Sequence, residues 1–252
     1  MTPQARPFAL FISDLHLQVS HPRTVEAFLG FLRERAMQAE RLYLLGDIFE
    51  YWAGDDDLAD PFNGHIAGAI RAVSDAGTAV YWMAGNRDFL VGAAFAQAAG
   101  LRLLQEPHVI EAGPRRVALV HGDAQCTLDT GYMAFRAQVR APAWQDQFLG
   151  MPLSRRKAII AGLRDGSREA HTEKSYATMD VTPEAIEAVF EATGADVIIH
   201  GHTHRPAVHA HGARVRHVLP DWELDSAPAR GGWIALHADG AIVRHDLDTT
   251  TL

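Results

Sequence analysis

Three of the five residues in "HGHTH" (200–204) are histidines, and they follow the apolar run "ADVII" (195–199). Imidazoles crowded where a buried strand should end can offer nitrogen lone pairs to a shared partner. Similar donors stand at the ends of other short apolar runs. "FALFISD" (8–14) leads to Asp14 and His16, "RLYLLGD" (41–47) to Asp47, and "AVYWMAGN" (79–86) to Asn86. "RVALVHGD" (116–123) carries His121, and "DVIIHGH" (196–202) leads to His202 and His204. Alternate residues of an extended segment point the same way, so Asp14 with His16, and His202 with His204, are expected to converge. A lone Asp or His at a strand end is most often a turn residue or a helix cap. Seven such groups at five successive strand ends are poorly explained that way.

The donors are imidazole nitrogens and Asp/Asn oxygens, with no sulfur. That mixture suits Mn²⁺, Fe²⁺ or Zn²⁺ rather than Ca²⁺, which prefers oxygen alone. Seven groups are too many for one tetrahedral ion and suit a pair of ions, the usual clamp for in-line displacement at phosphorus. His200, Asp88 and Asp123 are read as supports for the metal ligands. His65, His108, His209, His211, His217, His237 and His245 are read as ordinary surface or strand residues.

The elements that must position these groups alternate. Between the apolar runs lie helical patterns at 22–38, 62–77 and 181–194. The last offers Thr182 as N-cap, Pro183 at the first helical position and Gly194 as C-cap. Strand–helix alternation predicts an α/β fold in which ligands gather beyond the carboxyl ends of the strands. The regions 206–220 and 231–247 predict short mixed or antiparallel strands, with an Asp-Gly hairpin in "HADGAIV". The segment 124–180 reads as a mostly helical insertion, or cap, within a single domain spanning 1–252.

Composition narrows the function. The 252 residues are 48% hydrophobic, enough for one large domain, and the net charge of −8 argues against broad nucleic-acid binding. Segment 124–180 carries eight Lys/Arg and six Asp/Glu, leaving 15 basic and 25 acidic residues elsewhere. The insertion is thus locally basic on an acidic protein. No apolar run approaches the roughly 18 residues that span a bilayer, and the N-terminal apolar stretch is too short for a secretory signal. A cytoplasmic location is expected. Cys126 is the only cysteine and reads as a small apolar residue.

The motifs D-x-H, G-D, G-N-x-D, H-G-D and G-H-T-H, in this order, resemble those of the calcineurin-like metallophosphoesterases. The resemblance runs from Asp14 to beyond His204. It implies a four-layer α/β/β/α sandwich with the helical cap. It also implies one metal on Asp14, His16, Asp47 and His204, and another on Asp47, Asn86, His121 and His202, with Asp47 shared. A hydroxide activated by both metals would be the nucleophile.

Many members of that family have histidine after the motif asparagine, placed to protonate an alkoxide leaving group. Here it is Arg87, a poor proton donor but a planar, bidentate partner for phosphate oxygens. Arginine suits a leaving group that departs as a stable anion, as a phosphate monoester does from a pyrophosphate bond. Together with "GDIFEYW", "SREAHTEKS" and "HGHTHRPAVH", "GNRD" resembles a branch of Mn²⁺-dependent hydrolases in lipid A biosynthesis. That resemblance implies two Mn²⁺ and cleavage of UDP-2,3-diacylglucosamine to UMP and 2,3-diacylglucosamine 1-phosphate, by attack on the uridine-side phosphorus. It implies Asn86, Arg87 and His121 as catalytic residues. It also implies substrate contacts from Asn86, Arg87, Asp129, Ser167, His171, Lys174 and His202, with His171 standing where asparagine is common.

In the insertion, Trp144, Phe148, Leu149, Met151 and Leu153 precede Arg155, Arg156 and Lys157, and Ile159, Ile160 and Leu163 follow. Apolar residues interleaved with cations suit an acyl chain and anionic headgroups, so peripheral contact with the cytoplasmic face of an inner membrane is expected. The rival readings are another dimetal phosphoesterase or nucleotide pyrophosphatase on the same fold, and a scaffold that kept the fold without catalysis. A scaffold would be expected to have lost ligands.

Overall fold

The computed structural model describes residues 6–248 apart from 174–179, and for 164–173 it describes the helical backbone alone. Among the described residues the strands are β1 (Ala9–Ile12), β2 (Arg41–Leu45), β3 (Ala79–Met83), β4 (Leu101–Leu104), β5 (His108–Ala112), β6 (Arg115–Leu119), β7 (Val197–His200), β8 (Val208–His211), β9 (Arg214–Val218), β10 (Gly232–Leu236) and β11 (Ile242–Asp246). The helices are α1 (Pro22–Glu34), α2 (Pro61–Asp75), α3 (Ala93–Ala99), α4 (Thr130–Val139), α5 (Pro142–Leu149), α6 (Leu153–Glu173) and α7 (Pro183–Thr193).

One sheet has the order β11-β10-β1-β2-β3-β4 and the other β5-β6-β7-β9-β8. In the first, β1 to β4 are parallel while β10 and β11 run antiparallel; in the second, β6, β7 and β9 are parallel. The β10–β11 pair is closed by the predicted Asp-Gly turn, with Gly240 at φ 86°.

Strand periodicity builds the layers. Phe11, Tyr43, Leu45 and Met83 point from the first sheet onto Val117, Leu119, Val197 and Ile199 of the second, making a core between the sheets. The alternate residues Leu10, Ile12, Leu42, Leu44 and Trp82 face the other way and bury against Phe28, Phe31, Ile66 and Ile70 of α1 and α2. On the far side, Ala118, Val120 and Ile198 pack on Ile186, Val189 and Phe190 of α7. The result is helix, sheet, sheet, helix, the four-layer sandwich that the motifs imply. β1, β2 and β3 end on the same edge of this sandwich as β6 and β7, so the five donor-bearing loops share one rim.

α7 has the caps read from the sequence: Thr182 Oγ1 accepts from Ala185 N, and Gly194 is left-handed at φ 62°. Helix 22–38 stops at Glu34 and continues as a 3₁₀ turn.

Segment 124–180 holds α4, α5 and α6, and several of its described side chains are more internal than the lipid reading requires. Phe148 is buried, Trp144 stacks on it with ring centroids 4.7 Å apart, and Met151, Ile159 and Ile160 pack against the main core. Arg156 is only 2% exposed and bonds to the Ala53 and Met151 carbonyls and to Asp56. Lys157 Nζ lies 2.6 Å from Asp57 Oδ1. The expected role of Arg156 and Lys157 as headgroup contacts is therefore corrected: both cations latch α6 to the loop after β2. The physical reason is the acidic run Asp55–Asp57, which offers them closer anions than a membrane would. Leu128, Phe135, Leu149 and Leu163 are the large apolar side chains in this segment that stay exposed among the described residues.

Candidate dimetal site at the strand ends

The loop after β1 is zipped to the loop after β2. Asp14 N donates to Gly46 O, Leu15 N and His16 N both donate to Asp47 O, and Leu17 N donates to Ile48 O. The parallel pairing of the strands thus continues into the loops that carry the donors. Within them the backbone is unusual. Asp14, His16, Asp47, His202 and His204 lie at φ between 50° and 65°, and they are the non-glycine residues in the left-handed region among those described. Asp and His tolerate that region better than most residues, yet each such placement still costs on the order of 1 kcal/mol or more. Strain confined to five candidate ligands marks the rim as the place where the fold stores it.

This geometry corrects one step of the sequence reasoning. Asp14 with His16, and His202 with His204, do not converge as alternate residues of an extended strand. All four residues are left-handed instead; Asp14 and His16 reach one cluster, while His202 turns to Asn86 and His204 to Asp14 and His16. Close approach of the loops also explains two glycines. A Cβ on Gly85 would overlap the Asp47 carboxylate, and one on Gly201 would overlap the Asp14 carboxylate and the Ser13 side chain.

The seven predicted groups meet. His16 Nε2 lies 3.3 Å from His204 Nε2, and His204 Nε2 lies 3.5 Å from Asp14 Oδ1. Asp14, His16 and His204 each place a donor atom within 4.8 Å of the others, and so do Asp14, Asp47 and His121. Asn86 Oδ1 is 3.0 Å from His121 Nε2 and 2.8 Å from His202 Nδ1. Asp14 is thus the member common to both clusters here, whereas Asp47, the carboxylate that the motifs imply as shared, falls in one of them. Surrounding groups fix the donors. Leu45 O holds His121 Nδ1 at 2.8 Å, so its Nε2 faces the cluster. Asp14 Oδ2 accepts from Ser13 Oγ and from His202 N.

The charges in this pocket are strongly coupled. Burial alone would lower the His121 imidazolium, but the Asp47, Asp14 and Asp123 carboxylates raise it to about 9. His202, half-buried and 5.2 Å away ring to ring, is pushed down to about 4 by desolvation and by the His121 charge. Asp14 is held well below the usual carboxylate range: burial opposes ionisation, but the surrounding histidines outweigh it. A pocket rich in lone pairs and carboxylates favours positive charge, and the upward shift of His121 shows that pull. Two observations fit divalent cations. Asp14 Oδ1 is buried without a hydrogen-bond partner. His16 and His204 turn ring nitrogens toward each other at 3.3 Å, beside the Asp14 carboxylate, where a cation could take both lone pairs.

Supporting groups ring the ligands. Asp88, predicted as a support, accepts from Gly85 N and Ile48 N, each at 2.8 Å, and burial with the Asp47 charge raises its carboxyl to about 7. His200 is kept neutral, at about 3, by burial and by Arg216, whose Nη1 lies 2.9 Å from its Nε2. Asp123 gathers one face of α4: Tyr132 Oη at 2.6 Å, Arg136 Nε at 2.7 Å and Arg140 Nη2 at 3.8 Å. The i, i+4, i+8 spacing of those three residues was the available signal for this anchor, and the sequence reading passed over it. Asp221 and Glu50 were also missed. Asp221 Oδ2 lies 3.4 Å from His204 Nδ1 and is bonded by Arg230.

Arg87 sits beside the cluster. Its backbone N donates to Asp47 Oδ1 at 2.8 Å, and its guanidinium reaches Glu50 Oε1 at 2.9 Å. Asp129 is nearly buried and uses Oδ1 to cap α4 through Tyr132 N. Arg205 pairs with Asp180 at 2.7 Å. Ser167 and His171 lie on the stretch of α6 described by backbone alone, and Lys174 lies outside the described residues.

Two stacked sheets with histidines, carboxylates and an asparagine on a common rim define a metal-dependent phosphoesterase. The calcineurin-like phosphoesterase family model matches residues 9–206, and the chain belongs to that family. Within it, the chain falls with the UDP-2,3-diacylglucosamine hydrolases. It is 47% identical over 234 residues to the one from Chromohalobacter salexigens, covering 91% of this chain and 93% of that one. It is 48% identical over 217 residues to the one from Cellvibrio japonicus, covering 84% and 90%. It is 44% identical over 243 residues to an Escherichia coli relative of the same name, covering 96% and 97%.

Proposed function

We propose that the protein hydrolyses the pyrophosphate bond of UDP-2,3-diacylglucosamine, releasing UMP and 2,3-diacylglucosamine 1-phosphate for lipid A biosynthesis. The observation that carries this reading is the meeting of five ligand-type side chains in two clusters, with Asn86 and His202 joined to His121, beside Arg87, in a chain whose relatives of that name match it nearly end to end. Asp14, His16, Asp47 and His204 would hold one divalent cation, and Asp47, Asn86, His121 and His202 a second, with Mn²⁺ as the ion proposed. Bound there, the pair would supply positive charge to the phosphoryl oxygens and lower the pKa of a water.

The chain's own residues set up the rest. The Leu45 carbonyl, 2.8 Å from Nδ1, keeps the His121 ring in one orientation with Nε2 toward the cluster. Arg87 is half-buried at the mouth of the cluster, where its guanidinium can take two phosphate oxygens of the substrate. Because the leaving group is a phosphate monoester anion, no side chain has to protonate it, and a permanently charged arginine serves better than a histidine. Asp129, Ser167, His171 and Lys174 are proposed to contact the sugar and phosphates.

The membrane is proposed as a peripheral partner. No helix among the described residues is long and apolar enough to cross a bilayer. Leu128, Phe135, Leu149 and Leu163 would instead touch lipid or acyl chains from the cap. A cytoplasmic location, on the inner face of the inner membrane, follows from that substrate. The direct test is incubation of chelator-stripped protein with UDP-2,3-diacylglucosamine, with and without Mn²⁺. Release of UMP only with metal is expected; release of no nucleotide under any divalent ion would refute the proposal.

A further inference from the structure

Glu50 lies three residues beyond Asp47 and belongs to none of the groups discussed so far as ligands. Its side chain is about nine-tenths buried at the edge of the cluster. Its backbone is fixed there, because Glu50 N donates to Leu17 O at 3.2 Å and Phe49 bridges Leu17 in parallel. The two carboxylate oxygens face different partners. Oε1 lies 2.9 Å from Arg87 Nη1, and Oε2 lies 3.2 Å from His16 Nδ1. The second contact is close but off the direction of a full hydrogen bond, so as it stands it is electrostatic.

The placement has two consequences. An anion at Nδ1 favours the tautomer with its proton on that side of the ring. The lone pair is then on Nε2, which faces His204 Nε2 at 3.3 Å. An anion at Nη1 offsets the repulsion that would otherwise drive a guanidinium away from a pocket filled with divalent cations. Arg87 also lies within 3.7 Å of Asp47 Oδ2, so it is held between two carboxylates, only one of which is a proposed ligand.

We infer that Glu50 is a positioning residue with two tasks. It turns His16 Nε2 into the cation pocket and holds the Arg87 guanidinium at its mouth, so that cation binding and phosphate binding are linked through one carboxylate. The inference rests on the proposed dimetal reading. It adds that the arginine and a ligand histidine are not independent.

The test separates the two. Stripped full-length protein is titrated with Mn²⁺, and the free ion is followed by its electron paramagnetic resonance signal, for the parent, Glu50→Gln, Glu50→Ala and Arg87→Ala. Glu50→Gln keeps the shape of the side chain and guards against an unfolded alanine variant. Both Glu50 variants should weaken Mn²⁺ binding by roughly 10–100-fold, the usual effect of losing a group that orients a ligand. Arg87→Ala should leave Mn²⁺ binding unchanged. With Mn²⁺ saturating, the kcat/KM losses of Glu50→Gln and Arg87→Ala should be less than additive in the double variant. Parent-like Mn²⁺ affinity in a folded Glu50→Gln protein, or strictly additive losses, would overturn the inference. A parent protein that binds no Mn²⁺ would instead remove the dimetal reading, and this inference with it.

Discussion

His121 and His202 are neighbours that share Asn86, yet their imidazoles are driven in opposite directions. The carboxylates raise His121 to about 9, and the His121 charge with burial lowers His202 to about 4. A site with this much negative potential is expected to depend on each carboxylate that focuses it. Asp47→Ala removes the proposed shared ligand and should cut kcat/KM by at least about 100-fold, or roughly 2.7 kcal/mol of barrier, with a matching loss of bound metal. Parallel activity and metal assays check this. Arg87→Ala should instead keep its metal content while slowing turnover. Equal metal loss in both variants would mean that the arginine is misassigned. Cys126 is a separate case. Burial pushes its thiol up to about 12, so a disulfide reagent at pH 8 should react with it only as the protein unfolds. Fast labelling of the native protein would contradict its reading as a small apolar residue.

Much of the rim was legible from strand ends, because an apolar run closing on Asp, Asn or His is a local pattern. The left-handed backbone at Asp14, His16, Asp47, His202 and His204 was not legible. Periodicity assumes regular φ, and it breaks down where loops zip together. The pairing of Arg156 and Lys157 with Asp56 and Asp57 was also hidden, since those residues lie about a hundred positions apart in the chain. α3 escaped for a related reason: its short alanine-rich run carries little amphipathic signal, and its N-terminus is capped from far away. Asp55 accepts from Gly92 N, Ala94 N and Phe95 N, and from Trp52 Nε1. Asp55→Ala should therefore destabilise the fold by about 2 kcal/mol, while Asp55→Asn should lose less. Urea unfolding of the two variants measures the difference, and an unchanged midpoint for Asp55→Ala would argue against the cap.

Across the described molecule, two sheets of unlike strand order bring their loops to one rim, and α4 is anchored beside it through Asp123. By sequence the main body is acidic and the insertion slightly basic. Among the described cations of the insertion, Arg156 and Lys157 pair within the fold, and the exposed Leu128, Phe135, Leu149 and Leu163 are the groups proposed for lipid contact. Flotation with phospholipid vesicles should therefore persist at high salt and weaken when Leu149 and Leu163 are replaced by serine. Binding lost at high salt would point to charge instead. The central claim, that water is delivered to the uridine-side phosphorus by this cluster, has a direct measurement. Mn²⁺-loaded protein is given UDP-2,3-diacylglucosamine in H₂¹⁸O, and both products are weighed by mass spectrometry. One ¹⁸O atom in UMP and none in the lipid phosphate is the predicted result; the label in the lipid phosphate, or no UMP at all, would contradict the account.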